Sequence, residues 1–314
     1  TLKIKNNDDY EENYASSTSF YFAAKNPGSW ANGLKVAVID NQADQTLGIN
    51  TTAMGDAANL KVNVGTAVTA SINGVLAGSG TTSVFDGYIK GIVTGVTTDA
   101  GGSSSIDVRV LSRVDTAGTE TAITYAKNDG LRAFDISDTL IFTNSAGITT
   151  GYSVSPTTAV DWYDQQTLGL NTPINWNTIA GRPVDSNYSL SRSGGGDSLH
   201  VVVVDDDGAV TGIQGNILEK HLFLSKAKDA TADGEAPTRT YYKDYLVNGS
   251  EYIFAGHSPS NAEDSVQGTK PRPIAFSSGT VPVTDGAGQW GQDAQGIKFS
   301  AIGAKTYSLS GGVD

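Results

Sequence analysis

Asp205-Asp206-Asp207-Gly208 is a dense run of carboxylates, and clustered carboxylate oxygens are what calcium takes. A calcium loop spaces its acids at alternate positions and closes on a distal Glu, whereas these three are consecutive. A solvated turn after a strand is the better account. Gly286-Ala287-Gly288-Gln289-Trp290-Gly291 matches GxGxxG, the spacing that cradles a dinucleotide pyrophosphate. That chemistry needs a buried strand before the glycines and a helix N-terminus after them. Here Val281-Pro282-Val283 precedes and the polar Gln292-Asp293-Ala294-Gln295 follows, so a flexible glycine loop is expected.

Three histidines, His200, His221 and His257, leave little imidazole chemistry to build. His221 follows Glu219 and Lys220 but has no second His four residues on, so it lacks a two-point grip on a metal. His257 precedes Ser258, yet neighbours in an extended chain point to opposite sides. No Gly-x-Ser-x-Gly elbow is present. Asp161-Trp162-Tyr163-Asp164 sets aromatics beside carboxylates, a composition that carbohydrate sites share. An aromatic packing anchor explains it as well, because buried Trp and Tyr dominate packing. No catalytic residue, cofactor or metal is therefore assigned, and the chain is not expected to be an enzyme.

The elements that would position these residues follow from composition and periodicity. At 314 residues and 38% apolar content the chain is long enough for two cored domains. No run approaches the roughly 20 apolar residues of a membrane span, so no membrane partner is expected. No signal peptide opens the chain, which begins at Thr1 and reads as part of something longer. A formal net charge of −12 argues against a nucleic-acid partner, because that affinity comes from neutralising phosphates. The absence of cysteine excludes disulfides and thiolate catalysis.

Thirty-seven glycines among many Thr and Ser predict a β-rich protein with tight turns. Leu34 to Ile39 reads as a buried strand. From about 41 to 160 come short alternating runs, Leu60–Val64, Ala67–Leu76, Val84–Val96, Ile106–Val114 and Thr139–Thr143, with no helical period. His200–Val204 is the β-branched run of a strand covered on both faces. Asn216-Ile217-Leu218-Glu219 has capping-box spacing and predicts a helix to about Lys228. A second helix is expected over Thr240–Val247, then a strand over Glu251–Ala255, and residues 258–296 read as a long surface loop. The fold expected is α+β: an α/β sandwich domain of residues 1–40 plus 165–314, carrying an inserted all-β barrel or sandwich at 41–164.

Lys25-Asn26-Pro27-Gly28-Ser29-Trp30-Ala31-Asn32-Gly33-Leu34-Lys35-Val36 closely resembles a segment recurrent in the tail sheath proteins of contractile-tailed phages. Three more stretches resemble the T-even-like members: Asp161–Gln166 with Trp162 and Tyr163, Trp176–Ala180 with Arg182-Pro183, and His200–Gly208 leading to Gly215–Glu219. Tyr307–Asp314, containing Gly311 and Gly312, resembles the family's boundary ahead of a C-terminal domain. The resemblance implies a structural virion protein, a subunit of the contractile sheath that surrounds the tail tube and drives it through the host envelope. It implies Pro27, Gly28, Trp30, Asn32, Trp162, Tyr163, Trp176, Gly311 and Gly312 as structural motif residues. It also implies self-association as a helix or stacked rings, contacts to tube and baseplate proteins through parts outside this chain, and a place in the phage tail. The region 41–164 would be the variable, outward-protruding part. The alternative is a host-surface or glycan-binding module carried by that β insertion. The 314 residues by themselves are expected not to build a sheath; long polymers in sedimentation would overturn that.

Overall fold

The computed structural model describes residues 2–26, 28–50, 62, 64–75, 84–98, 103–127, 133–143, 153–234, 237–258 and 288–313. Among the described residues the protein is mostly β-sheet with few helices, 40% strand against 13% helical. Among the described residues the α-helices are short: α1 (Asn7–Asn13), α2 (Asn187–Leu190) and α3 (Tyr242–Gly249). The described chain forms two compact units, one of residues up to Asn41 together with those from Gln166 onward, the other Gln42–Gln165.

The first unit is built on β1 (Phe22–Ala24) and β2 (Leu34–Asp40) from the start of the chain. It adds β11 (Ser198–Asp205), β12 (Asn216–Ser225), β13 (Ile253–Ala255) and β14 (Ala304–Ser308). A four-stranded antiparallel sheet runs β12-β11-β2-β14, and β1 pairs separately with β13. Every residue of β11 is buried, as its unbroken β-branched run requires. One face, with Val36, Val38, Val201 and Val203, joins Tyr242, Leu246, Trp290 and Ile302 in the main core. The Lys25 ammonium donates to the carbonyls of Val247 and Ser250 at the end of α3, 2.6 Å each. It thereby satisfies carbonyls that a helix C-terminus leaves open.

The helix expected from Asn216 is instead β12, antiparallel to β11. Capping-box spacing was present, but Glu219 does not reach back to Asn216. Its carboxylate accepts from His221 Nε2 at 2.9 Å, Ser250 Oγ at 2.6 Å and the Glu251 N–H at 2.6 Å. An apolar β11 needs a neighbour for its backbone, and that pairing overrides local helix preference. The order is therefore strand, strand, helix, strand. Residues 288–296, expected to belong to a surface loop, carry the core residues Trp290 and Ala294; residues 259–287 lie outside the described residues.

The second unit is one antiparallel sheet, curled into a half-barrel. Its strands are β3 (Gln45–Asn50), β4 (Ala67–Val75), β5 (Val84–Thr98), β6 (Ser103–Asp115), β7 (Glu120–Ala122), β8 (Leu140–Thr143), β9 (Ser153–Val154) and β10 (Pro156–Asp161). The path is β10-β3-β6-β5-β4-β8-β9, with β7 pairing β6. Strict alternation puts Ile106, Val108 and Val110 into the core with Leu47, Val68, Ile89, Val93, Phe134 and Phe142. The β5–β6 pairing skips Leu111 of β6 opposite Lys90 and Gly91 and skips Thr94 of β5 between Val93 and Gly95, a bulge in each strand and the usual means of curling a sheet. At Gly91 a Cβ would sit 2.8 Å from Cε2 of the Phe134 ring, so the missing side chain is what lets that ring lie on the sheet. The expected strand Leu60–Val64 falls largely outside the described residues, and Val62 and Val64 are not in a strand.

Candidate functional site

Two segments of the chain, 280 positions apart, meet in the first unit. Gly28 has φ 143°, a conformation that only glycine takes readily, and feeds a 3-10 turn, Ser29–Gly33. That turn presents Asn32, whose Nδ2 donates to the Gly312 carbonyl at 3.0 Å while its Oδ1 accepts from the Gly312 N–H at 2.7 Å. The side-chain amide thus pairs with the N–H and the carbonyl of a single residue, as facing residues exchange both bonds in an antiparallel ladder. Three residues earlier the Leu309 N–H donates to the Leu34 carbonyl at 3.0 Å, and β14 pairs with β2 through Tyr307 and Val36. Gly311, at φ 81°, makes the bend, and a Cβ on Gly312 would collide with the Gly28 carbonyl oxygen. Trp30 packs edge-on to Tyr252, ring centres 6.3 Å apart. Gly28, Asn32, Gly311 and Gly312 therefore share one clamp, with Trp30 on the same 3-10 turn; Pro27 lies outside the described residues.

The acidic run closes over the other side of this turn. Asp205, expected in a solvated turn, is fully buried at the end of β11. Its carboxylate accepts from Thr211 N–H and Thr211 Oγ1, both at 2.7 Å. Burial raises its pKa, but bonds from Thr211, Val210 and Gly208 outweigh that and hold it below the usual carboxylate range. Asp206 bridges to Lys35 at 2.8 Å, and its N–H donates to the Gly33 carbonyl. The Asp207 carboxylate fills the space that a side chain on Gly33 would occupy. All three carboxylates are engaged with the protein's own groups. Among the described residues no group of three carboxylate or imidazole side chains converges as metal ligands.

The other sequence candidates are dispersed. Gly286 and Ala287 lie outside the described residues. Gly288 pairs with Phe299, and Trp290 is buried with Nε1 donating to the Ser300 carbonyl at 2.9 Å, so this half of the motif is packed structure rather than a flexible loop. His221 lies on β12, almost wholly buried, bonded to Glu219. Ser258 Oγ pairs with the Tyr242 hydroxyl at 3.1 Å, while the His257 ring packs on Tyr21. His200 accepts from the Phe223 N–H at Nδ1 and donates from Nε2 to the Gly181 carbonyl, which assigns the neutral tautomer. Burial lowers its pKa, in keeping with that state. Trp162 and Tyr163 are buried at 2% and 3% exposure, which leaves no open ring face for a sugar; Asp161 Oδ1 accepts from the Tyr163 N–H. They are an aromatic anchor. Trp176 is fully buried, its ring 6.3 Å from His200.

Sequence reasoning missed the polar centre of this unit. Lys226 Nζ donates to Asp40 Oδ2 at 2.8 Å and to the carbonyls of Gly196 and Ser300. Asp40 also accepts from the Ile302 and Gly303 N–H groups, and neither charged residue is exposed by more than 1%. No spacing signal announces a pair 186 positions apart. Comparison with protein-family models, with curated proteins and with solved structures finds no match to this chain.

Proposed function

We propose that this chain is part of a subunit of a contractile phage tail sheath, working by shape and by reversible contacts with copies of itself. The observation that carries the reading is the Asn32–Gly312 clamp. The two segments that resemble sheath sequences at either end are one structural device, and each motif glycine has a backbone reason to be glycine. On this reading the discontinuous unit is the α/β sandwich domain of the subunit; burial of both faces of β11 supports a layered arrangement about the four-stranded sheet. The half-barrel of Gln42–Gln165 is the protruding decoration, and the tail is where the protein resides. Tube and baseplate contacts belong to parts of the subunit outside this chain. Charged, glycine-turned surfaces suit a machine that exchanges one set of polar contacts for another.

Antibodies raised against the Gln42–Gln165 unit test this on intact virions. Decoration along the whole length of the tail is expected. Labelling confined to fibre tips or the baseplate would favour a host-recognition module instead, and specific capture on a glycan array by the same unit would strengthen that rival.

A further inference from the structure

Asn32 is followed by Gly33, the sequence in which an asparagine amide is most open to attack by its own backbone, because glycine has no Cβ to block the approach. The clamp is built on this residue. We propose that Asn32-Gly33 is a one-way deamidation latch: stable while Gly312 is docked, and converted irreversibly once the segment Leu309–Val313 departs. In the reaction the Gly33 nitrogen loses its proton to a solvent base and bonds to Asn32 Cγ. The Cγ–Nδ2 bond breaks, the nitrogen leaves as ammonia with a proton from water, and a cyclic succinimide remains. Water then opens the ring to an aspartyl or isoaspartyl residue at position 32. Water is the only co-reactant.

The docked geometry opposes each part of this. Both polar atoms of the Asn32 amide are held by the backbone of one residue, Gly312, at 3.0 and 2.7 Å, so the carboxamide cannot turn toward Gly33. Gly33 is buried within its 3-10 turn, and the Asp207 carboxylate packed against it disfavours a negative charge on the nitrogen. Asn32 itself is exposed, so water and base reach it as soon as the clamp opens. Conversion also prevents closing. The Gly312 N–H still finds an acceptor, but the Nδ2 donor has become an oxygen facing the Gly312 carbonyl, and two acceptors oppose each other. The Asn248-Gly249 step, at the end of α3, serves as an internal reference.

The test compares the 314-residue chain with its Gly312→Val variant, whose new side chain collides with the Gly28 carbonyl and keeps the segment undocked. Both are held in warm, mildly alkaline buffer, and conversion is followed by peptide mass spectrometry with isoaspartate resolved. Conversion at Asn32 is expected about tenfold or more faster in the variant, as for a reaction gated by local opening, with Asn248 unchanged. Equal rates at Asn32 in the two chains would overturn the proposal. A second arm does not depend on that variant: Asn32→Asp is expected to abolish hydrogen-exchange protection of the Gly312 amide. Protection retained at Gly312 would equally overturn it.

Discussion

Lys226 and Asp40 come from distant parts of the chain, yet each is the other's counter-ion in the buried interior. Taking both charges out of solvent is costly, so the pair contributes less to net stability than its loss would suggest. Removing one partner strands the other. Lys226→Met is therefore expected to cost about 3–5 kcal/mol in urea unfolding of this unit. Loss of less than about 1 kcal/mol would mean that Asp40 is held adequately by the Ile302 and Gly303 amides. Glu219 makes a second residue-level prediction. Burial raises its pKa, but bonds from His221, Ser250 and the Glu251 amide outweigh that and hold it below the ordinary 4.5. A depressed folded pKa contributes stability that is complete above the unfolded value and lost as pH falls through the folded one. Glu219→Gln is expected to lower stability at neutral pH and to flatten the acid limb below pH 4.5, measured by denaturant midpoint against pH.

β12 teaches how far local sequence carries. Strands with strict alternation or dense β-branching, such as β6, β11 and β2, were legible because burial on one or two faces writes itself into the period. So was α3, displaced by two residues from expectation. β12 was not: its apolar positions are interrupted by bulges opposite Leu199–Val201 and Val203–Val204, which break the period of two, and Asn216-x-x-Glu219 imitated a cap. β3, β10 and β14 are short, polar or Thr-rich, and only their partners make them strands. Of the candidate site, the glycines and Asn32 were visible as a motif. Their meeting was not, because nothing local encodes a contact across 280 positions. At the level of elements, the close approach of Phe134 to β5 can be challenged directly. Gly91→Val places methyl groups against Phe134 and Val108 and is expected to cost about 1–3 kcal/mol in thermal unfolding of the half-barrel, the usual cost of overpacking. Wild-type stability in that variant would show that the ring can move aside.

The described residues divide into a unit assembled from distant stretches of chain and a unit that lies within Gln42–Gln165. A separate apolar core predicts that Gln42–Gln165 folds when expressed by itself, giving a β-type circular dichroism spectrum and one cooperative transition. A spectrum without strand signal would count against its independence. No helix among the described residues is long and apolar enough to cross a membrane. The proposed role then rests on where the chain sits in a particle. Cryo-electron microscopy of an intact tail decides it: the account predicts this chain traced in helically or ring-repeated density outside the tail tube, with Asn32 still paired to Gly312 in the extended state. Density for the chain found only at fibres, or outside the particle altogether, would contradict it.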